Sequence, residues 1–118
     1  MKKLLLILIL VFMPHVVMAQ ATTTSKLEFD QSAPTLSEAN GYTYKYYPDG
    51  SLTGINLVVV CTGVTSPFIC NTAFPTFTPG PHNITLTAGN IAGESLKSSP
   101  FAFVFVVVPV APNRVRII

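Results

Sequence analysis

The sequence predicts an all-β protein, an antiparallel sandwich of roughly six or seven short strands. Three observations carry that expectation. Apolar and polar residues alternate over short runs, the period-two mark of strands with one buried face. Ten prolines and seven glycines punctuate the chain, setting turn signals at intervals of about ten residues. No stretch of useful length repeats its apolar residues at the roughly 3.6-residue spacing of an amphipathic helix. The sequence also lacks an internal repeat, which argues against a solenoid or propeller.

Before the strands comes a leader. Lys2 and Lys3 precede an apolar run from Leu4 to Met13, and Val17-Met18-Ala19 offers small residues for a cut. This is the layout of a secretory signal peptide over residues 1–19. The run is about half the roughly 20 residues that span a membrane, so no stable membrane anchor is expected after cleavage. No cysteine near the cut could accept a lipid. Two cuts fit, after Ala19 or after Ala21, and the first is preferred.

Residues 20–112 then read as one domain. Thr24 to Asp30 alternates, with Leu27 and Phe29 on one face and Lys26 and Glu28 on the other. Gln31 to Asn40 is a loop marked by Pro34, with room for a helical turn at Ser37-Glu38-Ala39. Gly41 opens an aromatic strand with Tyr42, Tyr44 and Tyr46 on one side and Tyr47 opposite, beside Lys45. Pro48-Asp49-Gly50-Ser51 is a turn, because proline presets φ and glycine accepts a positive φ. Ile55 to Cys61 is a β-branched strand, and the bend at Ser66-Pro67 returns the chain through Phe68 to Phe74.

Phe77-Thr78-Pro79-Gly80 is the next turn. Beyond it His82, Ile84, Leu86 and Ala88 point one way and Asn83, Thr85 and Thr87 the other, so one face is core and one is wet. Gly89 to Pro100 reads as a polar loop. The last long strand, Phe101 to Val108, is apolar on both faces. Phe101, Phe103, Phe105 and Val107 are expected to fill the core, leaving Val104, Val106 and Val108 as an uncharged outer stripe. Such a strand can pair edge to edge, and either another strand or the Arg114–Ile118 tail covers it, or a second chain does.

The precursor carries seven Lys and Arg against five Asp and Glu, a net charge of +2. Without Lys2 and Lys3 the balance is neutral, which argues against nucleic acid and anionic lipid as partners. A domain of roughly 100 residues buries only about two-thirds of its unfolded surface and gains from a covalent staple. Cys61 and Cys70, an even pair at hairpin-like spacing in an exported chain, are expected to form a disulfide. The chain-entropy model assigns so short a loop about 2.5–3 kcal/mol. Two cysteines and two distant histidines are too few for a zinc site, and the spacing is not that of a redox pair.

Leu27-Glu28-Phe29-Asp30 is similar to the second strand of fibronectin type III domains, within the immunoglobulin-like sandwich class, and Gly41-Tyr42-Thr43-Tyr44 to the third. Phe77-Thr78-Pro79-Gly80 with Ile84, Leu86 and Ala88 resembles the turn and sixth strand. Gly93-Glu94-Ser95 with Ser98 resembles the loop into the seventh. The resemblance covers roughly residues 26–112 and departs from the family in three ways. Tryptophan is absent, the first strand is missing, and His82 stands where many members carry a tyrosine that bonds the preceding turn. His82 is expected to bond the turn backbone in its place. Pro109 to Ile117 resembles a linker and the first strand of a following domain. Residues 113–118 are thus the start of a second module, an added strand, or a free tail.

No catalytic residue, cofactor or metal site is expected. The mature chain's one histidine, His82, has no nucleophile that the sequence sets beside it. Glu28, Asp30, Glu38, Asp49 and Glu94 are scattered, without the acidic spacing of a calcium loop. Asn83-Ile84-Thr85 matches the glycosylation sequon, but the short lysine-led leader has a bacterial look, so modification is not expected. The tyrosine strand invites carbohydrate stacking, with Tyr47 as its free ring, yet period-two tyrosines more often line a core. The expectation is a secreted, periplasmic or cell-surface module that binds protein or glycan or acts as a spacer, not an enzyme. Self-assembly by strand addition is the alternative, and a sugar-binding domain a weaker one.

Overall fold

Two β-sheets face each other in the structure, a computed structural model that describes residues 18–118. Most of the expected leader, residues 1–17, lies outside them. The strands are β1 (Ala19–Ala21), β2 (Lys26–Gln31), β3 (Thr43–Pro48), β4 (Ile55–Leu57), β5 (Val60–Thr62), β6 (Phe68–Ala73), β7 (Gly80–Asn90), β8 (Gly93–Glu94) and β9 (Phe101–Phe105). One short helix, α1 (Leu36–Gly41), joins β2 to β3. The larger sheet runs β1-β9-β7-β3-β4, with β8 beside β7, and the smaller runs β2-β6-β5. All pairings are antiparallel except that of β1 with β9. The fold is an all-β sandwich.

Its interior has two centres, each drawing side chains from both sheets. Ala21, Leu27, Phe74, Ile84, Phe103 and Phe105 form one, with Phe77 and Leu86 packed against it. Ala39, Tyr44, Cys61, Phe68 and Cys70 form the other. Alternation delivers them: Ile84 is buried while its neighbour Asn83 is exposed, and Phe68, Cys70 and Thr72 point inward from β6. Cys61 and Cys70 are direct partners in the β5–β6 ladder and are joined by a disulfide, as the hairpin spacing leads one to expect.

The nine strands among the described residues exceed the six or seven expected, for identifiable reasons. The run from Ile55 to Cys61 is two strands, not one. β4 pairs with β3, and the chain then crosses at Val58 and Val59 so that β5 pairs with β6 in the opposite sheet. A continuous β-branched run carries no signal for such a switch. The polar loop from Gly89 also contains strand: β7 continues to Asn90 and turns back into β8. Beyond β8, Ser95 and Ser98 follow the edge of β7. Their hydroxyls accept from the Ala88 and Leu86 N–H groups at 3.0 and 2.9 Å, and their own N–H groups donate to the same residues' carbonyls.

A strand that the sequence does not announce, β1, precedes β2. It pairs in parallel with β9, Gln20 opposite Val104 and Ala21 opposite Phe105. Within the expected partner edge at Val104, Val106 and Val108, β1 takes the flank of Val104. Val104 lies between Gln20 and Pro81 with a neighbour on both sides, and the Val106 N–H donates to the Ala21 carbonyl. β9 stops at Phe105, opposite Gly80 where β7 begins, so Val108 has no ladder to join. Phe103 and Phe105 are buried as expected. Phe101, at 44% exposure, and Val107, at 49%, are not. The helical turn is a capped helix: Thr35 Oγ1 accepts from the Glu38 N–H, half of a capping box, and Ala39 is fully buried.

Candidate functional site

The larger sheet extends past the smaller one, and the overhang leaves a cleft of about 520 Å³ between the free edge of β2 and β1. Its floor comes from both sheets: Ile84 and Phe103 of the larger, Leu27 and Phe29 of the smaller. Phe101 lines it too, which accounts for that ring's exposure. Lys26 and Glu28 stand at the rim with opposite charges. Apolar walls with a few polar groups at the mouth suit an apolar side chain or a small apolar ligand.

Away from the cleft, His82 is engaged with Asp49 and Tyr47 with Glu94. His82 Nδ1 lies 2.7 Å from Asp49 Oδ2 and Nε2 lies 2.7 Å from the Thr78 carbonyl oxygen. Both partners accept, so both ring nitrogens must donate, and the geometry selects the imidazolium. The bond to Asp49, and then that to Thr78, pushes the His82 pKa up. The same contact, with the Asn83 N–H donating to Asp49 Oδ1, holds the Asp49 carboxyl below its ordinary range. The pair ties the turn after β3 to the start of β7. Asp49 and Gly50 both have positive φ, 47° and 75°, and aspartate is among the few side chains that tolerate this. His82 thus bonds the turn backbone, as its position in the resemblance implies.

Tyr47 departs from expectation. It lies on the outer face of the larger sheet yet is only 7% exposed. Its hydroxyl donates to Glu94 Oε2, and Lys97 Nζ sits 4.3 Å from the ring centroid. A Cβ on Gly54 would lie 2.7 Å from the ring, so only glycine fits there. The bond to Glu94, and then burial, raises the Tyr47 pKa. Tyr47 is not an open stacking platform.

At the other centre the Tyr44 hydroxyl donates to the Ala39 carbonyl at 2.6 Å, and burial, then nearby Tyr42, raises its pKa. Asn40 holds the edge of β5: its Oδ1 accepts from the Cys61 N–H at 2.8 Å and its Nδ2 donates to the Cys61 carbonyl at 3.1 Å. One side-chain amide there does the work of a neighbouring strand. Sequence reasoning missed Asn40, Ser95 and Ser98, whose partners lie in other elements. The spacing Thr35-x-x-Glu38 was the available signal for the helix that carries Asn40.

Among the described residues no three His, Cys, Asp or Glu side chains cluster as a metal site would need, and no helix is long and apolar enough to cross a membrane. The disulfide points to an oxidising, extracellular environment. The chain matches no family model and no curated protein sequence.

Proposed function

We propose that this protein is a non-enzymatic module of fibronectin type III-like fold, exported by the leader at residues 1–19, that binds a protein or glycan partner or spaces parts of a surface assembly. One observation carries this. His82 is bonded to Asp49 and Tyr47 to Glu94, whereas the accessible concavity is mostly apolar. The strand order supports the family resemblance: β4-β3-β7-β9 opposite β2-β6-β5 matches the way immunoglobulin-like sandwiches divide their strands. Fold does not dictate function, so the binding role rests on the cleft.

Self-assembly is the second reading, favoured by the exposed apolar residues Val108, Val110, Val115, Ile117 and Ile118. Light scattering across concentrations separates the two. A monomer throughout agrees with a module, and concentration-dependent oligomers that vanish in Val106→Lys or Ile117→Lys assign assembly to the segment after β9.

A further inference from the structure

The two cuts that the sequence allows leave different molecules. A cut after Ala21 removes all of β1. The free edge of β9 would then be unpaired, and Phe103 and Phe105 would lose the Ala21 methyl that packs in their cluster. Of β1, a cut after Ala19 removes only Ala19, which is exposed. It keeps Gln20 opposite Val104 and Ala21 opposite Phe105.

The second cut falls in a peptide with bonds of its own. The peptide joining Ala21 to Thr22 is held on both sides: the Ala21 carbonyl accepts from the Val106 N–H at 2.8 Å, and the Thr22 N–H donates to Ser25 Oγ at 2.9 Å. Ala21 itself is 3% exposed. A peptidase draws its substrate in as an unpaired extended strand, so this bond is closed once the domain has folded.

We infer that the exported protein begins at Gln20 and that this residue becomes pyroglutamate, so that a neutral lactam ends the chain at the border of the cleft. The Ala21 carbonyl faces β9, and in a parallel strand the groups of alternate residues face opposite ways. The Gln20 nitrogen therefore points away from β9, toward the open side. Gln20 is exposed and borders the cleft, with its side chain on the outer face that it shares with Val104. In the reaction the free α-amine attacks Cδ of its own carboxamide. The new N–Cδ bond closes a five-membered ring, the Cδ–Nε2 bond breaks, and nitrogen leaves as ammonia carrying the amine's proton. No oxidant or further reactant is needed. The product has no N-terminal ammonium, so no charge is added beside Leu27 and Phe103.

This rests on the exported-module reading, and one experiment distinguishes their failures. The full chain is expressed with its own leader in a secreting bacterial host, recovered from outside the cytoplasm, and its N-terminal peptide identified by mass spectrometry. The expected result is a chain starting at Gln20, lighter by one ammonia and refractory to stepwise N-terminal degradation. Gln20→Ser should keep the cut and abolish both signs of the lactam. A start at Thr22 overturns the inference while the leader survives. A start at Gln20 with a free amine overturns the lactam. A chain still beginning at Met1 overturns the inference and the exported-module reading together.

Discussion

The two centres of the sandwich are closed by opposite means. Around Cys61 and Cys70 the interior is sealed by a covalent bridge, by α1 with Ala39 fully buried, and by the Asn40 amide on the edge of β5. Around Phe103 the seal is aromatic packing, with Phe74 and Phe77 meeting it edge-on at 4.9 and 5.0 Å. On its outer flank that second centre has only the three residues of β1. A small domain can thus hold one end with directional links and leave the other, held by contact alone, open enough to form a cleft.

Substitutions can break that contrast, and the largest effect is expected at the packed end. Phe103→Ala empties the middle of the Phe74–Phe77–Phe105 cluster and should cost about 3–5 kcal/mol, read as a lower urea midpoint. Replacing both cysteines with alanine should cost about 2.5–3 kcal/mol in the same assay. A larger loss from the cysteines than from Phe103 would reverse the comparison. Asn40→Ala should cost about 1–2 kcal/mol by leaving the Cys61 peptide groups without their partner. Hydrogen exchange would place the change there, as faster exchange of the Cys61 amide with β9 unaffected.

The smallest effect belongs to the turn anchor. His82 binds its proton more tightly folded than unfolded, so its contribution is complete below 6.5, the ordinary value, and fades as pH rises through its raised pKa. Asp49 behaves inversely: its contribution is complete above 3.8 and is lost as pH falls through its depressed pKa. Urea midpoints measured across pH should thus peak between those limits. His82→Gln should flatten the decline on the alkaline side and leave the Phe103 centre's ranking unchanged.

What the sequence revealed divides along the same physical line. Strand periodicity is local, so β7 with Ile84 inward and the β5–β6 hairpin with its bridge could both be read directly. Features made by distant segments could not. Tyr47 has an outward position by alternation and is covered only because Glu94 and Lys97, far along the chain, fold onto it. β1 is Ala-Gln-Ala, with no strand signature, and exists because β9 offers an edge. Of the candidate site, the apolar residues of the floor were legible, but the cleft depends on one sheet being wider than the other, which no single strand encodes.

The Asn40 clamp also has a bearing on how the molecule ages. Asn40 is followed by Gly41, whose bare backbone nitrogen can readily attack a preceding carboxamide carbon. Both ends of that carboxamide are held by Cys61, which keeps it from swinging onto the glycine while the domain is intact. Should it deamidate, a carboxylate oxygen would face the Cys61 carbonyl where a donor had been, and two acceptors would repel. Slow chemical wear would then begin to fray the sandwich at its most firmly fastened end.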